Sequence, residues 1–258
     1  MIDAHILFSD EPDFLDSLEH ALEFSGASGV IALQDSENSD AKHAAIERAK
    51  ESDGLICGIV TAASWDDEKK IKKQIESDTR TDLVVGYLAD LRETDAKLWI
   101  QDEDIQHSLR LIAKRNISLD LLTTTDQILH LLPLLDAHPD LPIILDHCAG
   151  DMHQCDDSWM RMIREIGKRR HVYYRLSGLA AGLQGDSAYE LTQIIRPHFK
   201  NALEAFGPTR ILYGSGWSSM ETAYPAWLNT VDNLVSELST DDKDAIYGEN
   251  ALSFYGVS

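Results

Sequence analysis

The feature that most constrains the fold is a repeated alternation of two kinds of segment along the whole chain. Short apolar runs rich in β-branched residues predict buried parallel strands. The segments between them carry apolar residues at i, i+3 and i+4 and stop near Gly, Asn or Pro, which is typical of amphipathic helices. The predicted strands are Ile2–Phe8, Gly29–Leu33, Gly54–Val60, Leu83–Ala89, Ile117–Leu122, Pro142–Asp146, Val172–Ser177 and Arg210–Tyr213. Strands and helices in this alternation predict a (β/α)8 barrel, the TIM-barrel form of the α/β class.

The length of the chain and its connections bound the number of domains. The 258 residues fit a single barrel, and no linker rich in Pro, Gly or Ser divides them. The alternative is an open, doubly wound sheet, but no G-x-G-x-x-G motif follows the first strand. We therefore expect one domain that covers residues 1–258.

Composition and charge exclude several classes of protein. A hydrophobic fraction of 43% supports a buried core, and no apolar run approaches the ~18 residues needed to span a membrane. The N-terminus lacks the pattern of a signal peptide, and three cysteines are too few for a disulfide framework. A net charge of -21 would repel nucleic-acid phosphates. We expect an acidic cytoplasmic protein that binds a small molecule, neither nucleic acid nor membrane, and that can form a homo-oligomer.

The barrel fold predicts where the functional groups lie. Chemistry in such barrels takes place at the C-terminal ends of the strands and in the loops that follow them. Strand alternation places His5 and Leu7 on one face of the first strand. The polar or aromatic residues near these ends are His5, Gln34, Thr61, Asp90, Arg92, Asp120, Asp146, His147, Arg175, Ser177, Ser215 and Trp217.

Five phrases at these strand ends and in the last helix carry a family resemblance. They are IDAH (Ile2–His5), DLPIILDHCAG (Asp140–Gly150), VYYRLSGL (Val172–Leu179), GPTRILYGSGW (Gly207–Trp217) and YGENALSFYG (Tyr247–Gly256). On these phrases, which occur in the family's order, the chain resembles the amidohydrolase-related family. Within that family it is similar to the lactonase branch of 2-pyrone-4,6-dicarboxylate and sugar lactonases. The resemblance implies a barrel hydrolase.

The same resemblance implies a set of site residues, of which this chain keeps only some. The family carries H-x-H on the first strand, Asp-His at the end of the sixth and Gly-Ser-Asp-Trp at the end of the eighth. His5 and His147 match this pattern. Leu7 stands where the second histidine is expected, Gly216 replaces the eighth-strand aspartate, and Leu88 stands where lactonases often carry an arginine.

These replacements bear on metal binding. A divalent metal needs three or four nitrogen or oxygen ligands, and neither Leu7 nor Gly216 offers a donor in its side chain. We therefore predict that the inherited site holds no metal and that the protein needs no cofactor. If a metal were bound between His5 and His147 all the same, Asp120 would be the first candidate for the missing ligand. The metal-free family mechanism also loses its expected base at Gly216.

The remaining polar residues have candidate roles. His147 or His5 would act as the base on water. Asp120 would orient that water, act as a base itself, or serve as a buried partner of His5 or Arg175. Arg175 would bind a substrate carboxylate through its two-pronged guanidinium, or form a structural ion pair with Asp120 or Asp146.

Two serines, a tryptophan and one local cluster complete the candidates. We assign Ser177 to substrate binding, and neither Ser177 nor Ser215 lies in the G-x-S-x-G motif of a nucleophile. Trp217 would form an apolar wall of the site or pack under the last loop. A cluster that could bind zinc, although its spacing matches no recognised zinc pattern, comprises His147, Cys148, Asp151, His153 and Cys155.

Two functions remain open on these grounds. The first is a lactonase-like hydrolase that acts without the inherited metal on a small lactone or a carboxylated ring compound. The second is a catalytically silent barrel that binds a small molecule or a protein partner. A third and weaker option is non-hydrolytic chemistry such as decarboxylation, which is usually metal-dependent.

Overall fold

The computed structural model describes the greater part of the chain. The described residues are 1–23, 25–65, 67–149, 156–178, 187–218 and 224–257. Eight parallel strands form one sheet in the order of the sequence, with helices between them. The strands are β1 (Ile2–Leu7), β2 (Gly29–Gln34), β3 (Ile56–Ala62), β4 (Val84–Asp90), β5 (Ser118–Leu122), β6 (Ile143–Leu145), β7 (Val172–Leu176) and β8 (Ile211–Tyr213). The predicted (β/α)8 barrel is confirmed, and each predicted strand overlaps an observed one.

The helices follow the strands as the amphipathic pattern predicts. Several begin at an aspartate or asparagine whose side chain accepts hydrogen bonds from free amides of the first turn, as Asp67 does from Lys69 and Lys70. The α-helices are α1 (Phe14–Leu22), α2 (Ser39–Glu51), α3 (Glu68–Asp78), α4 (Ala96–Gln101), α5 (Glu103–Ala113), α6 (Leu131–Ala137), α7 (Asp157–Ile166), α8 (Ala188–Phe206), α9 (Tyr224–Val235), α10 (Thr240–Asp244) and α11 (Asn250–Tyr255). None of the helices within the described residues has the length and hydropathy needed to cross a membrane.

At two strands a 3-10 turn takes up part of the predicted range. The β6 strand ends at Leu145, since Asp146–Ala149 form a 3-10 turn. The β8 strand starts at Ile211, since Pro208–Arg210 form another 3-10 turn. The first of these turns matters for function, because it lifts His147 out of the strand and onto the end of the barrel.

The core has two layers, separated by the alternation of side chains along each strand. On β2, Ile31 and Leu33 join a cluster inside the barrel that contains residues of the other strands and of α11. Val30 and Ala32 of the same strand point outwards and pack against α1 and α2. All six residues of β2 are therefore buried, as expected for a parallel strand covered on both faces.

The barrel closes between β1 and the segment that follows β8. The amide of Gly216 donates to the carbonyl of His5 at 2.9 Å, and the amide of Leu7 donates to the carbonyl of Trp217. The carboxylate of Asp3 accepts a hydrogen bond from the amide of Ser215 at 2.9 Å. We call residues 3–7 and 214–217 the seam of the barrel.

Candidate active site

Two imidazoles meet at the C-terminal end of the barrel. His5 lies on β1 and is buried, and His147 follows β6 with about a quarter of its side chain exposed (26%). Their ring centroids are 4.7 Å apart in an edge-to-face arrangement. The predicted meeting of His5 and His147 at one end of the barrel is therefore observed.

Local backbone geometry places the His147 ring. Its φ of 44° lies in the left-handed region, which non-glycine residues adopt rarely. Gly178 leaves the room for the ring, because a Cβ at that position would lie 2.5 Å from Nδ1 of His147. Ser177 places its hydroxyl 3.1 Å from the same nitrogen. Ser177 is itself buried, so in this structure it contacts His147 below the end of the barrel.

Arg175 lies at the centre of the polar groups inside the barrel. Its Nη2 donates to Asp120 Oδ2 at 2.6 Å and also to the hydroxyl of Tyr255. Its Nη1 lies 2.9 Å from Asp146 Oδ2 and 3.1 Å from His5 Nδ1. Only 1% of the Arg175 side chain is exposed. The guanidinium thus joins groups from three other strands and the last helix.

The two carboxylates on this guanidinium differ in their pKa. Burial raises the pKa of Asp120, and the attraction of Arg175 offsets this only in part. Burial acts on Asp146 in the same direction, but the attraction of Arg175 is the largest of the effects that outweigh it and hold that pKa well below its usual range. Asp146 is therefore the firmly ionised member of the pair.

Arg175 also determines which nitrogen of His5 carries the proton. A guanidinium N–H can only donate, so Nδ1 of His5 must accept the hydrogen bond from Nη1. Asp146 Oδ1 lies 3.4 Å from the same nitrogen and would favour a proton there, but this contact is longer. We assign the proton to Nε2 on the shorter contact. His5 is then a neutral ring that presents an N–H donor at Nε2.

His147 is held in its unprotonated form. Burial lowers its pKa to about 4, and the positive charges of Arg175 and Arg92 act in the same direction. Asp146 opposes them without reversing the shift. At neutral pH the ring is therefore neutral. Its Nδ1 contacts the hydroxyl of Ser177, so Nε2 is the nitrogen that remains to act as a base.

One group in the described residues has enough donors to be tested as a metal site. His5, Asp146 and His147 each offer a nitrogen or oxygen atom, and these atoms lie within 4.8 Å of one another. The carboxylate that accompanies both imidazoles is Asp146, and not the expected Asp120. However, Nη1 of Arg175 contacts both Asp146 and His5, so a divalent ion would lie close to a fixed positive charge. This donor set, as arranged, does not fit a closed zinc site.

The three positions at which this chain departs from the family pattern, Leu7, Leu88 and Gly216, offer no replacement ligand in their side chains. Leu7 packs against the apolar cluster inside the barrel, as does Leu88 on β4. Gly216 has a φ of 71°, a conformation in which any L side chain would be strained. The ring of Trp217 lies 6.0 Å from that of Phe14 on α1, so it packs on the outer side of the seam. Residues 150–155, which complete the proposed zinc cluster, lie outside the described residues.

The other polar strand ends pair among themselves. Thr61 donates to the side-chain carbonyl of Gln34 at 2.7 Å, and Arg92 forms an ion pair with Asp90 at 2.6 Å. The hydroxyl of Ser215 contacts the carbonyl of His5 at 3.4 Å, so it belongs to the seam. These hydrogen bonds indicate a structural role for Gln34, Thr61 and Ser215.

Two residues of the site, Tyr255 and Gly178, were given no role from the sequence, and Asp146 was expected only as a polar strand end and a possible partner of Arg175. Tyr255 enters the barrel from α11, Gly178 makes room for His147, and Asp146 joins both imidazoles. The phrases that contain them were visible in the sequence, but nothing in their spacing shows which way a side chain points. In the sequence, the position of Asp146 near the end of a predicted strand was what indicated that it lies near the site.

Comparison with known proteins places the chain in a family. A family model described as amidohydrolase matches residues 6–257. An L-fucono-1,5-lactonase of Burkholderia ambifaria is 26% identical over 180 residues, which are 66% of this chain and 59% of that protein. An L-fucono-1,5-lactonase of Burkholderia multivorans is 24% identical over 265 residues, 95% of this chain and 86% of that protein.

A solved structure shows the same fold. The crystal structure of an amidohydrolase from Burkholderia multivorans with bound zinc superposes with a TM-score of 0.86 at 21% identity, covering 100% of this chain and 99% of the other. The resemblance to the lactonase branch, stated from the sequence phrases, is confirmed by the named relatives. Since the family match runs through nearly the whole chain, the protein belongs to the amidohydrolase family.

Proposed function

We propose that this protein is a lactonase-like hydrolase that opens a small lactone in water without a bound metal. The observation that carries the proposal is that the two imidazoles have different hydrogen-bonding roles, one as a donor and the other as a base. His5 is held as an N–H donor by Arg175, whereas His147 has a pKa lowered to about 4 by burial and stays a free base. A neutral donor and a neutral base side by side are the two groups that attack of water on an ester carbonyl needs.

In this mechanism the substrate carbonyl lies against Nε2–H of His5, and water lies against Nε2 of His147. His147 takes a proton from the water as its oxygen attacks the carbonyl carbon. The N–H of His5 stabilises the negative charge that develops on the carbonyl oxygen. The ring oxygen then leaves with the proton from His147, and the product is an open hydroxy acid. Ser177 holds Nδ1 of His147 and so keeps the reactive nitrogen in place.

Asp120 and Arg175 act through other groups in this proposal. Both are buried and bonded to each other, so the arginine positions His5 and Asp146 and does not reach a substrate carboxylate. The second arginine that acts on His147, Arg92, is held by Asp90. Because both cations already face carboxylates, an uncharged lactone fits the site better than a carboxylated ring compound. The two curated relatives reported above are named for an uncharged sugar lactone, which supports the same choice.

The zinc in the related crystal structure does not change the proposal for this chain. Among the described residues, those that could hold an ion here are His5, Asp146 and His147, and two of them already contact Arg175. No step of the mechanism therefore passes through a metal. We also propose a cytoplasmic location, since three cysteines are too few for a disulfide framework.

The test is a hydrolysis panel with protein dialysed against a chelator. L-Fucono-1,5-lactone, other aldonolactones and 2-pyrone-4,6-dicarboxylate are followed by proton release with a pH indicator. We expect turnover of at least one uncharged lactone, no loss on chelation, and a loss of about 100-fold or more in kcat for His147→Ala. His20→Ala is the matched control, since His20 is exposed far from the site. Turnover only after added zinc would contradict metal independence.

The absence of turnover with every lactone would favour the second function, a silent barrel that binds a small molecule. The replacement of two family donors by Leu7 and Gly216 is the observation behind this alternative. Lactones that raise the melting temperature of the protein without being hydrolysed would establish it.

A further inference from the structure

The last helix of the chain reaches into the barrel. Phe254 of α11 packs its ring 4.7 Å from that of Tyr173, which is the second residue of β7. Arg175 lies two residues further along the same face of β7. The helix therefore covers the N-terminal end of the barrel, opposite the end where the two histidines meet, and Tyr255 extends inwards from there.

The hydroxyl of Tyr255 bridges the central ion pair. It donates to Asp120 Oδ2 at 2.8 Å and accepts a hydrogen bond from Nη2 of Arg175. Ser118 donates to the other oxygen of Asp120 at 3.2 Å. Each oxygen of the Asp120 carboxylate thus has a hydroxyl donor, and Arg175 is held from below by two oxygens.

The contacts of Arg175 divide by direction. Nη2 faces Asp120 and Tyr255 on the side of α11, and Nη1 faces Asp146 and His5 on the side of the two histidines. A guanidinium is planar and rigid, so a displacement at Nη2 moves Nη1 by a similar amount. The position of the hydrogen bond to His5 therefore depends on what holds the opposite end of the group.

We propose that Tyr255 is a positioning residue, whose hydroxyl fixes the depth of Arg175 in the barrel and thereby the tautomer and place of His5. The proposal rests on the proposed function for its kinetic consequence. Its structural consequence does not depend on any substrate. The C-terminal helix is then part of the site although it contacts no reacting atom.

The test is the variant Tyr255→Phe with Tyr247→Phe as its control. Tyr247 lies in the turn that precedes α11, and its hydroxyl bonds to Asp232 at 2.5 Å on the outside of the barrel. Both variants lose one hydroxyl that bonds to a carboxylate, but only Tyr255 touches Arg175. We expect kcat to fall about 10- to 100-fold for Tyr255→Phe, as for loss of a hydrogen bond to charged groups, with KM changed by less than about two-fold. Tyr247→Phe should keep its kcat.

A second readout separates this inference from the proposed function. Nitrogen NMR of the histidine rings reports whether Nδ1 or Nε2 of His5 carries the proton, in any folded sample. We expect the Nε2–H form in the unaltered protein and a mixture of both forms in Tyr255→Phe. An unchanged His5 signal in Tyr255→Phe would overturn the inference, as would equal kinetic losses in the two variants. If the unaltered protein hydrolyses no lactone, the proposed function fails and the His5 signal alone decides.

Discussion

The two sides of the barrel end are built in different ways. On the side of β6 and β7, side chains contact side chains, with His147 on Ser177 and Asp146 on Arg175. At the seam, main-chain groups carry most of the contacts, as in the hydrogen bond from Gly216 to the carbonyl of His5. The first side therefore holds groups that can react, and the second closes the barrel.

This difference explains what has become of the family's donor positions. Leu7 and Gly216, where the family supplies ligands, now serve the apolar interior and the strand-like closure. His5 belongs to the seam by sequence, yet its ring is held from β7 by Arg175. The polar side chains of the site are thus held in place by residues of β7 and of the turn after β6. A Gly216→Asp substitution is a poor test of this, because the φ of 71° would strain any added side chain.

The largest expected effect comes from removing the central cation by Arg175→Met. Asp146 and Asp120 then lie near each other with no buried cation between them, and the free energy of unfolding should fall by about 3–5 kcal/mol. The place beside His5, Asp146 and His147 also loses its fixed positive charge. We expect zinc to raise the melting temperature of this variant more than that of the unaltered protein, measured by thermal denaturation.

The control for this comparison is Arg92→Met, which removes a half-exposed arginine from an exposed pair. Its stability should change by roughly 0–1 kcal/mol, and its response to zinc should equal that of the unaltered protein. Zinc binding of equal strength in Arg175→Met and the unaltered protein would show that the arginine does not exclude the ion.

The next effect in size concerns the room for His147. In Gly178→Ala the new Cβ would lie 2.5 Å from Nδ1 of His147, so the ring must move. A displacement of this order can cost about 100-fold in activity, and we expect a fall in kcat of about 10- to 100-fold. Gly26→Ala is the matched control, because its φ of 67° is close to the 69° of Gly178 and no atom of the described residues lies within 4 Å of its Cβ position.

Both glycine variants should lose roughly 1–2 kcal/mol of stability, since an L residue is unfavourable in the left-handed region. Only Gly178→Ala should lose activity. Equal kinetics in the two variants would mean that the position of the His147 ring does not matter, and the proposed base would have to be sought elsewhere.

The sequence predicted the barrel that carries this site better than the side-chain contacts within the site. The alternation of strands and helices is a local pattern, so it predicted the barrel and the meeting of His5 with His147 at one end. The bond from Tyr255 to Asp120 joins residues 135 positions apart, and its existence depends on how α11 packs under the barrel. Likewise, an arginine on β7 was compatible with a substrate contact or an ion pair, and only its burial separates the two.

The smallest effect, and the one that bears on His147 alone, is the pH dependence of activity. Burial lowers the pKa of His147 from 6.5 to about 4, with the charges of Arg175 and Arg92 adding to the shift against Asp146. A base works only when unprotonated, so kcat/KM should stay level from neutral pH down to about 5 and fall with a midpoint about 4. An unperturbed histidine would instead lose activity around pH 6.5.

A direct titration of the His147 ring by NMR should give the same midpoint as the pH profile of kcat/KM. The agreement matters because Asp120, whose pKa is raised by burial, could also produce an acid limb. Arg92→Gln should move the His147 midpoint slightly upwards, since the Arg92 charge helps to keep the ring unprotonated. A midpoint near 6.5 would mean that the ring is solvated like an ordinary surface histidine. The side of β6 and β7 would then lose the property that distinguishes it from the seam.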